Sequence, residues 1–274
     1  MSAAAETDPL PGLPGAALDP GTGAAVPTLF EGLLADAGPL AAHREHRAAR
    51  YGDLLGPLVV PADGVEALQD ELRSSDHALQ VLLSARPEGA DPGLEGLREA
   101  RNRLLDDDRV EVVGVELPVP PGAVAAVLSV LDFSAPAWLE LPLVAGWEEA
   151  LDVVVEDGAE HVAVRADDPA AMAAFVRRAV DRDVVFRVAG PAREPGALAW
   201  LAVLCAVRAA LNGAEAAEVA AVLAERRAAP LASALRRMSE ADAAVARAFL
   251  AGVTVADVRS SVEDLVALGL LDLD

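Results

Sequence analysis

Glu116 and Glu140 have the residue type and setting for acid–base or metal chemistry. Each stands in a copy of one short phrase, Val115-Glu116-Leu117-Pro118 and Leu139-Glu140-Leu141-Pro142. Both phrases are apolar runs that end in a carboxylate, a Leu and a Pro, and a helical segment follows each, Ala123–Leu131 and Trp147–Val155. Two carboxylates brought to one end of a sheet can hold a divalent cation or divide the roles of acid and base. Arg165 and Arg187 form a second pair, near the ends of the runs Val162-Ala163-Val164-Arg165 and Phe186-Arg187-Val188. A guanidinium suits the carboxylate or phosphate of a small anionic ligand. It suits Glu116 and Glu140 equally well. In the first case the quartet is a site, with Glu116 and Glu140 catalytic and Arg165 and Arg187 anion-binding. In the second it is a structural charge network. No cofactor is expected; a divalent metal at Glu116/Glu140 is the alternative, and no clear third carboxylate at a strand end completes a metal shell.

Side chains so far apart in the chain can meet only if strands carry them to one face. The pattern supplies such strands. Apolar runs at Leu54–Pro61, Ala78–Ser84, Val110–Leu117, Ala137–Leu141, His161–Arg165 and Val184–Val188 alternate with amphipathic segments. Those segments are Gly64–Arg73, Leu94–Leu105, Ala123–Leu131, Trp147–Val155, Pro169–Val180 and Ala197–Leu211. The runs are continuous rather than alternating, as expected for parallel strands covered by helices. This rhythm predicts an α/β fold, a (β/α) TIM-like barrel with ligands at the carboxyl ends of its strands. No Gly-x-Gly-x-x-Gly or P-loop follows a strand, which argues against a doubly wound nucleotide-binding sheet. Only six strands are clear. Val253–Val258 is a seventh candidate, and the expected barrel is incomplete or irregular in its last two units, with a helical C-terminal part. Residues 1–27, rich in Pro, Gly and Ala, read as a disordered tail, and a docking peptide is the alternative. Residues 28–274 read as one barrel-like domain, with Thr28–Ala35 as a first helical turn.

Composition limits the partners. The formal charge of −22 repels nucleic-acid phosphates and anionic lipid, so neither nucleic acid nor membrane is expected as a partner. Apolar residues make up 53% of the chain but aromatic ones only 3%, so the core must be aliphatic. The single cysteine, Cys205, excludes an internal disulfide, and no basic, then apolar, leader opens the chain; the expected compartment is the cytoplasm. Ala197–Leu211, the longest apolar segment, is too short to span a bilayer and reads as a buried helix. Cys205 within it reads as a small buried hydrophobe.

The remaining polar candidates are weaker. His43, His46, Arg47 and Arg50 share one helical face in an acidic chain. They read as a solvated face beside acidic neighbours, with an anion contact as the functional alternative. His77 and His161 fall at strand starts, opposite the usual active face. Ser84 ends a strand but has no His and Asp in position to activate it.

Several phrases resemble an uncharacterised bacterial family with a (β/α)-barrel-like pattern. They are Leu29-Phe30-Glu31-Gly32-Leu33-Leu34, Ala41-Ala42-His43-Arg44, Gly56-Pro57-Leu58-Val59-Val60-Pro61, Val262-Glu263-Asp264-Leu265 and Leu268-Gly269-Leu270-Leu271. The resemblance spans about residues 28 to 271. The family's fifth strand ends in a Lys-Leu-Arg-Thr-Gly-Gly phrase; here the stretch is Ala163-Val164-Arg165-Ala166-Asp167-Asp168, and only Arg165 matches. Its sixth strand carries a Lys and then Ala-Gly-Leu-His-His-Pro; here Arg187 replaces the lysine and Ala189-Gly190-Pro191-Ala192 lacks both histidines. The resemblance carries no activity, and the departures imply altered chemistry or none. Two functions are therefore expected in order. The first is a catalytically degraded barrel kept as a binding or assembly protein for a protein partner or a small anionic ligand. The second is a lyase- or isomerase-type barrel enzyme acting on a small anionic metabolite.

Overall fold

A computed structural model describes residues 25–76, 78–85, 93–132, 135–159, 161–165, 168–189 and 197–273. Its eight parallel strands close into a barrel in chain order. They are β1 (Leu34–Asp36), β2 (Leu55–Pro61), β3 (Leu79–Ser84), β4 (Val110–Pro118), β5 (Ala137–Glu140), β6 (His161–Val164), β7 (Val185–Val188) and β8 (Leu250–Val255). The fold is the expected TIM-like barrel, and it is complete rather than truncated. Of the two strands beyond the clear six, the first has no counterpart in the sequence pattern and the last overlaps the candidate Val253–Val258; they pair with each other and close the ring. Helix α1 (Ala25–Phe30) starts three residues ahead of the expected domain boundary, and the chain then turns into β1 rather than continuing as helix. The rest of the tail lies outside the described residues.

Seven helices follow the first seven strands: α2 (Leu40–Ala48), α3 (Val65–Glu71), α4 (Leu94–Leu104), α5 (Val124–Leu128), α6 (Trp147–Glu156), α7 (Pro169–Asp181) and α8 (Leu198–Leu211). Local signals start several helices. Asp168 caps α7 by accepting from the Ala170 N–H at 2.9 Å, and Pro169 takes the first position, where its missing donor costs nothing. Three more helices, α9 (Ala216–Leu223), α10 (Ala228–Arg236) and α11 (Glu240–Phe249), precede β8, and α12 (Val258–Ala267) follows it. Reciprocal capping boxes open α9 (Glu215 with Glu218) and α11 (Ser239 with Asp242). The inserted helices explain α8, which is apolar on every side. The barrel covers one face of it, and α7, α9, α10 and α11 cover the others, leaving Cys205 fully buried. Burial pushes the Cys205 thiol up to about 12, which makes it inert as a nucleophile. Among the described residues no helix is long and apolar enough to cross a membrane.

Period-2 alternation sorts each strand into two rows. Val81, Leu83, Val115, Leu117, Val162, Val164, Phe186, Val188, Val253 and Val255 point outward into the shared core with the helices. The alternate row points into the barrel, where Leu82, Gly114 and Trp138 meet. A Cβ on Gly114 would lie 3.0 Å from Leu82 Cδ1 and 3.1 Å from Trp138 Nε1, so glycine here makes room for the indole.

Outside the barrel, Arg44 of α2 clamps Asp76, which precedes β3. Its Nε donates to Oδ1 at 3.0 Å and its Nη2 to Oδ2 at 2.5 Å. This grip holds the Asp76 carboxyl at about 2, below its ordinary 3.8. A lowered carboxyl pKa gives stability that is present above the unfolded value and lost as pH falls through the folded one. Acid titration from pH 4 to pH 2 should therefore cost the wild type about 1 kcal/mol more than Asp76→Asn, measured by urea unfolding at each pH.

Candidate functional site at the carboxyl ends of the strands

The inward rows carry all four expected residues to the mouth of the barrel. Glu116 stands opposite Ser84 on one side and Trp138 on the other. Glu140 ends β5 and stands opposite Ala163, which in turn stands opposite Arg187. Arg165 directly follows β6, two residues beyond Ala163 and on the same side. Register thus brings the quartet together.

Its members pair with one another. Arg187 Nη1 donates to Glu116 Oε2, and Nη2 donates to Thr254 Oγ1 at 2.7 Å. The same guanidinium stands 6.0 Å from the centroid of the Trp138 ring, a cation–π distance. Arg187, Glu116 and Thr254 are buried, with 3%, 6% and 3% of their surface exposed. The second pair sits at the rim. Arg165 Nε donates to Glu140 Oε1 and Nη2 reaches Oε2 at 3.4 Å, while the Arg165 side chain is 56% exposed.

Burial raises the Glu116 carboxyl above its ordinary range, with the Glu140 charge acting in the same direction and Arg187 and Arg165 opposing. Burial likewise lowers the Arg187 guanidinium against the pull of Glu116. A guanidinium has so high an intrinsic pKa that it keeps its proton, so Arg187 is the fixed positive charge to which the inner carboxylate responds. A divalent cation would have to displace Arg187 from Glu116 and Arg165 from Glu140. Among the described residues no group of three or more His, Cys, Asp or Glu is arranged to hold one.

Two partners in this network were not apparent from sequence. Trp138 looked like one more apolar strand residue, and Thr254 lay in a strand whose start was placed three residues late. His161 does sit at the start of β6, and its ring meets Trp138 edge-on with centroids 4.7 Å apart. His77 lies outside the described residues.

The basic face of α2 needs correction. Its histidines are not solvated: His43 and His46 are buried, with 0% and 8% exposure, whereas Arg47 and Arg50 are exposed. His43 Nδ1 lies 3.0 Å from Asp36 Oδ2, and His46 Nδ1 lies 2.9 Å from the Tyr51 hydroxyl. Arg47 donates to the Gly56 carbonyl at 3.0 Å. The reason is β1, which had no sequence signature. Asp36 ends that strand, accepts the Gly38 N–H at 2.8 Å and meets α2 with its second oxygen. Asp36→Ala would strip His43 and the Gly38 N–H of their acceptor in a buried setting. It should lower unfolding stability by about 2–3 kcal/mol in chemical denaturation. Asp36→Asn, which retains a carbonyl acceptor, should cost about half as much.

Comparison of the chain with protein-family models and with curated proteins gave no match to either.

Proposed function

We propose that this barrel is a catalytically degraded member of its fold class that works as a binding or assembly protein. The observation that carries the reading is the mutual neutralisation at the mouth. Each guanidinium that could hold an anionic substrate faces a carboxylate of the same chain, and each carboxylate that could act as base or metal ligand faces a guanidinium. A working anion site keeps its cation available to the ligand, because displacing an internal carboxylate adds to the cost of binding. The departures from the bacterial family that the chain resembles support the same reading. So does the inert Cys205. With one cysteine and a strongly acidic surface, we place the protein in the cytoplasm, with protein rather than nucleic acid or membrane as its partner.

One observation favours the second reading, an enzyme acting on a small anionic metabolite. The Arg165 side chain is 56% exposed at the rim, beside a carboxyl raised by burial at Glu116. A thermal-shift screen separates the two. The wild type and a Glu140→Gln/Arg165→Gln variant are each heated with divalent metals and with small carboxylates and phosphates. The proposal predicts flat melting temperatures. A ligand at a hundredfold excess over its dissociation constant adds about 2.7 kcal/mol, which is about 5 °C or more in a chain of this size. A shift of that size in the wild type that is absent from the variant would establish a working anion or metal site and sink the proposal.

A further inference from the structure

A groove of about 720 Å³ opens at the opposite pole, where the strands begin. That volume is within the range that holds a ligand or a short peptide. Tyr51, Leu54, Leu270 and Leu271 form its apolar lining, and Arg50 and Arg236 line it as well. Both arginines are exposed, and each is tied to the segment that follows α12. Arg50 Nη1 donates to the Leu273 carbonyl at 2.6 Å and Arg236 Nη1 to the Leu268 carbonyl at 2.7 Å. Carbonyls orient a guanidinium without cancelling its charge. Among the described residues neither arginine makes an ion pair, unlike Arg165 and Arg187 at the mouth. Glu31, Asp53 and Asp272 also line the groove, so an acidic occupant is favoured only where it lies beside the two arginines.

Thr28 of α1 lines the groove, so the segment ahead of α1 is joined to the fold beside it. Residues 1–24 hold Glu6, Asp8 and Asp19 and no Lys, Arg or His, which complements Arg50 and Arg236. They also hold Pro9-Leu10-Pro11-Gly12-Leu13-Pro14. Proline-rich segments lose little entropy on binding and dock in grooves floored by aromatic side chains. Between Pro14 and α1 lie ten residues, a connection that extends up to about 35 Å and so imposes no limit on reach.

We propose that this groove is the docking site of the chain's own N-terminal segment. Leu10 and Leu13 lie against the apolar lining, and Glu6 and Asp8 pair with Arg50 and Arg236. The inference concerns the pole opposite the mouth and is independent of the proposed function.

Hydrogen–deuterium exchange on the full-length chain tests it, comparing the wild type with a Leu10→Asp/Leu13→Asp variant. Both substitutions lie ahead of the described fold, so unchanged exchange in β3 and β4 verifies an intact barrel. Docking predicts that amides at 50–54 and 269–272 exchange at least tenfold faster in the variant, by the same factor at high and at low protein concentration. Equal rates in the two proteins would overturn the proposal. A difference that disappears on dilution would also overturn it, because the occupant would then be the segment of a second copy.

Discussion

Replacing Arg187 with methionine should lower the stability of the barrel by about 3–5 kcal/mol. The cost arises at Glu116. Its carboxyl is buried, and the substitution removes the guanidinium that compensates it while leaving the Glu140 charge in place. Thr254 loses its donor as well. The double variant Glu116→Leu/Arg187→Met should recover most of the loss or exceed the wild type, because apolar residues of similar volume carry no desolvation penalty. Guanidinium chloride unfolding of the wild type, both single variants and the double variant measures this as a cycle. A double variant as unstable as Arg187→Met would show that the pair is not what holds this part of the barrel together. The deficit of the single variant should also depend on pH. Without Arg187 the folded-state pKa of Glu116 rises further above its unfolded value. Such a group is tolerated in its protonated form below the unfolded pKa, and stability is lost as pH rises through the folded one. The deficit of Arg187→Met should therefore shrink as the pH is lowered from 7 toward 4.

Phe186→Ala should cost about as much, 3–5 kcal/mol by roughly the usual scale for a buried aromatic truncated to alanine. Phe186 points outward from β7 and is fully buried. It meets Phe175 of α7 edge to face, with centroids 5.2 Å apart and planes at 89°. Phe175 in turn lies 5.9 Å from Trp147 of α6. The chain has only three Trp, one Tyr and five Phe, so this row concentrates a third of its aromatic side chains between β7 and two helices. A cycle with Phe175→Leu should show a coupling of about 0.5–1.5 kcal/mol from the ring–ring contact itself. Additive effects would reduce the row to ordinary aliphatic packing.

Much of the barrel could be read from the sequence because parallel strands buried on both faces are continuous apolar runs, and six of them stand out between amphipathic helices. The other two do not, for different reasons. β1 has three residues and ends in Asp36, so it offers no run long enough to distinguish from a helical turn. β8 begins at Leu250, directly after the helical residue Phe249, so its first residues look like the end of that helix. The quartet at the mouth was legible as strand-end charge. Its pairing was not, because the choice of partner for Arg187 depends on Thr254, which lies next to β7 only once the ring is closed. The buried histidines of α2 failed for the same cause: their setting depends on the carboxylate of a strand without a signature.

The placement of β8 has a consequence for the order in which the protein can be built. β7 is made well before β8, and four helices, α8 to α11, are synthesised between them. Throughout that interval β1 and β7 are unpaired edges of an open parallel sheet, each with a row of free N–H and C=O groups. Such edges invite pairing with other chains. The all-round apolar α8 is exposed at the same stage unless α9, α10 and α11 wrap it first. Local helix packing is fast and closure of a ring across the whole sequence is slow, so the helical cluster should assemble on β7 ahead of closure. The inserted helices then act as a cotranslational shield for the growing sheet, and destabilising them should promote aggregation during synthesis more than it lowers the stability of the finished barrel.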